Sequence, residues 1–215
     1  MDETGTPKGL YVELLDEIFT KQLGIEIEHQ QLPWKRAQHN VELGKSDFLI
    51  TVKSEKRLQY ATASELPLLQ LYLHVFTYRS HKKLAEIEKI TSGEDIKALN
   101  LIPVTNIGNS WHKKNIDDFG VPTHYVKDED SAFKIVAGKR ADITIEPIHA
   151  GSYLVRKLGL QDKIQVTDAK FGPLDFFLLF SKKSPHQGLM PQINAVLQRL
   201  TKDGTLEKIS NKYKH

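Results

Sequence analysis

At 215 residues, with 40% hydrophobic and 27% charged side chains, the chain has the makeup of a globular protein able to bury a core of its own. Its 30 Lys and Arg against 27 Asp and Glu leave a formal charge of +3, spread along the sequence, which argues against the concentrated basic face of a nucleic-acid binder. The absence of cysteine excludes a disulfide framework, a thiol nucleophile and a cysteine-based zinc site. No run reaches the roughly 18 apolar residues of a membrane helix; the densest, residues 66–76, is broken by Pro67, Gln70 and His74. The opening Met1-Asp2-Glu3-Thr4-Gly5 is acidic and polar, unlike a secretory signal. The chain is therefore expected to be cytoplasmic, or processed or trimmed.

Residues 9–24 read as a helix carrying Leu14, Leu15 and Ile18 on one face and stopped by Gly24. Ile25, Ile27 and His29 alternate with polar neighbours, as in a short strand. A second helix is expected over residues 33–41, with Pro33 in its first turn and Gly44 closing it. Strands follow at 47–52 and 69–77. The middle repeats the theme: a strand at 99–105, a helix capped by Asn109 or Ser110, a strand at 123–126, and a helix capped by Asp128 and stopped by Gly138. A strand at 141–146 leads into a helix opened by Pro147. Strands at 164–167 and 176–181 precede the terminal helices, which break at Asp203-Gly204. This alternation predicts an α/β protein with mostly parallel sheets. Crossings between lobes are expected near 67–71 and 172–176. Residues 1–68 and 176–215 would then form a discontinuous lobe I, and residues 72–171 lobe II.

Catalytic signatures are missing: no GxSxG elbow, phosphate loop or GxGxxG occurs, and the nine histidines show no metal-ligand spacing. Ser80-His81-Lys82-Lys83 fits SxxK but reads more simply as a solvated edge, and Asp128-Glu129-Asp130 as a helix N-terminus. What remains is an arrangement suited to binding. Trp34 begins a helix, Arg57 follows the strand at 47–52, and Gly108-Asn109-Ser110 joins a strand to a helix, where backbone N–H groups can hold an anion. Glu146 ends another strand, and ligands of α/β folds gather beyond the carboxyl ends of strands. A cation, an anion-binding turn, an aromatic plate and a carboxylate suit a small zwitterion. The plainer alternative pairs Arg57 with Glu55 or Asp47 on the surface and leaves Trp34 to the core and Glu146 to a helix start.

Ordered segments along the chain carry a resemblance: GLYVELLDEIF at 9–19, PWKRA at 33–37, LGKSD at 43–47, EKR at 55–57, YATASELP at 60–67, AGKRAD at 137–142, LQRLTKDG at 197–204 and ISNKY at 209–213. Together they resemble the amino-acid type of the bacterial extracellular solute-binding proteins, family 3, which serve ABC importers. The resemblance implies a two-lobed periplasmic-binding-protein type II fold closing on a ligand in a cleft. It implies that Arg57 grips the ligand α-carboxylate, Trp34 packs over the ligand, Asn109 and Ser110 complete the carboxylate cradle, and Glu146 holds the α-ammonium. Thr51 stands for the neighbouring backbone contacts. Three departures stand out. The family's usual first strand is lacking, the stretch from Asp47 to Arg57 is short and without Gly-x-Thr, and Pro147 occupies the family's acidic position, one place after Glu146.

The implied protein is a periplasmic, monomeric carrier without cofactor, metal or catalytic residue. Its partners would be an amino-acid-like ligand and a membrane permease, not nucleic acid. Two alternatives stay open: a ligand-sensing module of a signalling receptor, and an enzyme on the same scaffold using Glu13, Glu146 or His149.

Overall fold

The computed structural model describes residues 8–213; the polar opening at 1–5 lies outside them. Helix α1 (Leu10–Asp16) runs into a π-helical segment, Glu17–Gln22. The wider turn brings Phe19 into the core beside Leu14 and Ile18. The chain continues through α2 (Trp34–Leu43), β1 (Phe48–Thr51), α3 (Glu55–Tyr60), β2 (Ala61–Ala63), β3 (Leu69–Tyr78), α4 (Leu84–Ile87) and α5 (Gly93–Ala98). Then come β4 (Val104–Asn106), α6 (Ser110–Asn115), β5 (His124–Val126), α7 (Glu129–Ala137), β6 (Ile143–Pro147), α8 (Ile148–Lys157), β7 (Ile164–Ser181), α9 (Met190–Lys202) and α10 (Thr205–Asn211).

The expected caps form. The Asn109 side chain accepts from the His112 N–H at the start of α6, and that of Asp128 accepts from the Ser131 N–H at the start of α7. Three expectations are corrected. Residues 24–33 form no strand, because no ladder among the described residues includes them and an unpaired strand leaves its backbone groups unsatisfied. The strands expected at 164–167 and 176–181 are one strand, β7. The sheets are also less parallel than expected. Among the described residues β4–β5 and the Pro103–Ile143 bridge are parallel, whereas β1–β7, β2–β7 and β3–β6 are antiparallel. The long strands β3 and β7 set these pairings, and β3 meets β6 in reverse direction.

The chain folds into two compact units. Unit 1 comprises Met1–Leu32, Arg36–Gln70 and Asp175–His215, and unit 2 comprises Pro33–Lys35 and Leu71–Leu174. Apart from the short stretch Pro33–Lys35, the chain passes from one to the other within β3 and again within β7. In unit 1, the last residues of β7 pair with β1, Thr51 opposite Phe177, and with β2, Ala63 opposite Leu179. Paired on both edges, residues 176–181 are buried without alternation, as a central strand should be. Phe19 stacks on Phe48 at 4.7 Å between centroids, and Phe48 meets Phe180 at 5.5 Å.

In unit 2, β3 lies between β6 and the first half of β7. One core joins Leu73, Val75, Ile143 and Ile145 to Ile96 of α5, with Ile87, Ile116 and Val121. The other joins Phe76 to Phe133 and Val136 of α7, with Leu160 and Ile164. Gly151 of α8 lies against the Phe76 ring so closely that a Cβ there would sit 2.3 Å from it. Phe76 is 1% exposed and packed edge-on to Phe133, so it has nowhere to go. Alanine is worth about 1 kcal/mol over glycine in an open helix, but overpacking costs about 1–3 kcal/mol and decides the sign. Gly151→Ala is expected to lower the urea midpoint of unfolding; an unchanged or raised midpoint would disprove this contact.

A polar network lies under α6. The Thr123 hydroxyl donates to Asp117 Oδ1 at 2.7 Å, so it must accept the proton on His112 Nε2, 3.1 Å away. Tyr125 also donates to Asp117. His112 is fully buried, its Nδ1 has no partner among the described residues, and burial drops its pKa to about 4 against the pull of Asp117. Folded His112 is therefore neutral where unfolded His112 takes up a proton. Its contribution is complete above pH 6.5 and is lost as pH falls toward 4, a difference of about 3 kcal/mol. Denaturant titrations of wild type and His112→Gln should diverge over that window; parallel pH profiles would show that His112 is not the titrating group.

Candidate functional site

In unit 1, Arg57 is set by local chain geometry. Ser54 caps α3 by accepting from the Arg57 N–H at 3.3 Å, which fixes the arginine one turn past the end of β1. Its side chain then turns inward. Nε donates to Gln38 Oε1 at 3.1 Å, and Nη1 to the Val52 carbonyl at 3.0 Å. Only 3% of Arg57 is exposed. Burial lowers its pKa, opposed by the neighbouring Tyr60, and the Tyr60 phenol is raised by its own burial.

The surface pairing of Arg57 with Glu55 or Asp47 is thus not what forms. Asp47 instead accepts from the Ser184 hydroxyl at 2.5 Å. Gln38 and the Val52 carbonyl are uncharged acceptors, which orient a guanidinium without neutralising it. Thr51, buried at the end of β1, adjoins Val52. Trp34 is the first residue of α2, half-buried, one turn before Gln38.

In unit 2, Asn109 and Ser110 stand where β4 gives way to α6. Gly108 takes a left-handed φ of 94°, which only glycine adopts easily, and so reverses the chain before the helix. Asn109 caps α6 with its carbonyl while its amide donates to Thr105 Oγ1 at 2.9 Å. Glu146 sits in β6, paired with His74 of β3, whose Nδ1 lies 3.1 Å from the Thr167 carbonyl. The parallel bridge of Pro103 to Ile143 sets β4 beside β6, and the charge of Glu129 acts on Glu146.

Asn106 in turn donates to Glu129 Oε1 at 2.5 Å. Asn106, Glu129 and Glu146 thus form one cluster at the carboxyl ends of β4 and β6 and the start of α7. Glu146 is pushed up to about 8, first by burial and then by the charge of Glu129. Glu129 is itself raised by burial, with Asp128 and Asp130 adding to it. Burial favours the neutral form of both carboxyls, Glu146 most strongly, and a cation placed among them favours their ionised forms.

The sequence reading missed Gln38, Asn106 and Glu129. The DED run at 128–130 is a helix start, as read, and Asp128 is its cap; what spacing did not reveal is that Glu129 reaches Asn106. Among the described residues no group of acidic and histidine side chains is arranged to hold a metal. No described helix is long and apolar enough to cross a membrane.

Known proteins share this fold. The chain is 24% identical over 218 residues to the probable amino-acid-binding protein YxeM of Bacillus subtilis (strain 168), an alignment spanning 98% of this chain and 77% of that protein. A histidine kinase sensor domain similar to periplasmic binding proteins superposes with a TM-score of 0.80 at 19% identity, covering 99% of this chain and 89% of that one. An ancestral arginine-binding protein bound to glutamine gives a TM-score of 0.79 at 20% identity, covering 99% and 90%. The profile of the bacterial extracellular solute-binding proteins, family 3, matches residues 1–215, and the chain belongs to that family.

Proposed function

We propose that this protein captures an amino acid or related small polar solute outside the cytoplasm, in the periplasm, and delivers it as a monomer to an ABC importer without transforming it. The observation that carries the reading is Arg57, a buried guanidinium fixed just past the end of β1, with Nε on Gln38 and Nη1 on the Val52 carbonyl. Such a group suits a carboxylate, which it can meet with paired charge-assisted hydrogen bonds. Asn109 and Ser110 add donors for the same carboxylate, Trp34 and Thr51 line the ligand, and Glu146 with Glu129 receives the ammonium. Glutamine in the ancestral arginine-binding protein and the amino-acid role given to YxeM support this ligand class.

A second reading, a ligand-sensing module of a receptor, is favoured by the likeness to the kinase sensor domain. Stimulation of a reconstituted permease's ATPase by the loaded protein separates the two, since a sensor module would leave it unchanged.

A calorimetric screen of the common amino acids should find at least one ligand. Truncating one side of a buried charge pair costs about 2–5 kcal/mol, so Arg57→Ala should weaken binding by about 30-fold or more. Equal affinity in a folded Arg57→Ala protein would end the carboxylate assignment.

Protonation supplies an independent check. Because the carboxyl of free Glu146 is raised to about 8, it is protonated at pH 6.5. An arriving ammonium favours the carboxylate, so binding should release about one proton there. Titrations in buffers of different ionisation enthalpy measure this release, which Glu146→Gln should abolish; a binding heat independent of buffer would remove Glu146 from the site. In the free protein the same group favours folding below pH 4.5 and loses that contribution as pH rises through 8.

A further inference from the structure

A pocket of about 290 Å³ opens in unit 2, where β3 ends and where α5 and α7 terminate. Three lysines line it, Lys82, Lys83 and Lys139, with Tyr78, Ser80 and Asn100 among the other walls. It thus gathers the SxxK run at 80–83, which the amino-acid site leaves unused.

The charges here do not cancel. The one carboxylate in the wall, Asp142, is already engaged. Its Oδ2 accepts the Ile102 N–H at 2.7 Å, and its Oδ1 lies 3.1 Å from His81 Nε2. His81 Nδ1 accepts the Lys83 N–H at 3.0 Å, so the proton is on Nε2 and points at Asp142. The carbonyl end of α5 takes one ammonium, Lys83 Nζ, which donates to Leu99 O at 2.5 Å. Two ammoniums remain. Lys139 Nζ stands 5.6 Å from the centre of the Tyr78 ring. Lys82 has no hydrogen-bond or ion-pair partner among the described residues, and neither does the Ser80 hydroxyl.

Backbone conformation marks the same place. Among the described residues, only Asn100 and Lys139 take a positive φ without being glycine, at 50° and 56°. Both line this pocket. Asparagine tolerates that conformation; lysine is strained in it.

We propose that this pocket is a second binding site, for a tetrahedral oxyanion of the phosphate type, carried on a small molecule or on a lipid headgroup. The lysines are separate point charges, as a phosphate with several acceptor oxygens requires, and the wall lacks the arginine fork that matches a planar carboxylate. Ser80 and Asn100 supply neutral donors. The site is independent of Arg57 and of the cluster around Glu146.

The test uses the full chain with inorganic phosphate in one arm and phosphatidylglycerol vesicles, against phosphatidylcholine vesicles, in the other. Ionic strength is held constant with chloride, because non-specific attraction to lysines would respond to salt alone. Saturable amide shifts centred on Ser80, Lys82, Asn100 and Lys139 are expected with phosphate, or selective retention on the phosphatidylglycerol vesicles. The first identifies a soluble ligand and the second a headgroup. The double variant Lys82→Gln, Lys139→Gln should lose at least tenfold in affinity while keeping the wild-type melting point. Neither response in the wild type, or equal affinity in the double variant, would overturn the proposal.

Discussion

Two strands, β3 and β7, carry the whole architecture, because each is needed by both units. In unit 2, β3 is the middle strand, with β6 on one side and β7 on the other; in unit 1, the end of β7 is the middle strand, with β1 and β2. A strand as long as β7 must satisfy its N–H and C=O groups with different partners along its length, β1 and β2 at its end and β3 before them. The burial pattern follows. Residues 164–170 of β7 mix buried and exposed positions against a half-solvated sheet, and residues 176–181 are buried throughout. A substitution that moved β7 by one residue would turn both its faces over in both units at once.

That dual service explains which elements the amino-acid sequence disclosed. The helices α7 and α9 and the strand β3 were legible because their apolar periods are local and their stops, Gly138 and Asp203-Gly204, are chemical. The unity of β7 was not legible, since Gly172-Pro173 reads as a break and only pairing partners distant in sequence show a continuous strand. The reverse error at 24–33 has the same cause: alternation of Ile25, Ile27 and His29 is necessary for a strand but does not supply a partner. The short helices α3, α4 and α5 were missed because six or fewer residues carry too little period to register. The start of α3 rests on the Ser54 cap and that of α5 on a capping box of Ser92 and Asp95.

The candidate residues were legible to a different depth in each unit. Arg57 stood out because it follows the strand at 47–52 within a segment that resembles the family, and the structure buries it against Gln38 and the Val52 carbonyl. Glu146 stood out as a carboxylate at a strand end, but its partners did not. Asn106 lies 40 residues away along the chain and Glu129 17, and only the placement of β4 beside β6 and of α7 behind them joins the three. Spacing reports neighbours along the chain; electrostatic character is set by neighbours in space.

The two halves also differ in kind. Arg57 cannot shed its proton, so its burial must be compensated by acceptors that hold it charged. Gln38 and the Val52 carbonyl are two of those acceptors. Glu146 and Glu129 can change state, and burial with mutual repulsion favours their neutral forms. An unliganded protein thus avoids two buried negative charges side by side, which a fixed pair would impose. On the proposed reading, recognition of a cation there would be coupled to deprotonation, whereas recognition of an anion at Arg57 would not. Affinity for a zwitterion should therefore depend on pH through its ammonium end alone, a property set by the choice of a titratable acid for one charge and a permanent cation for the other.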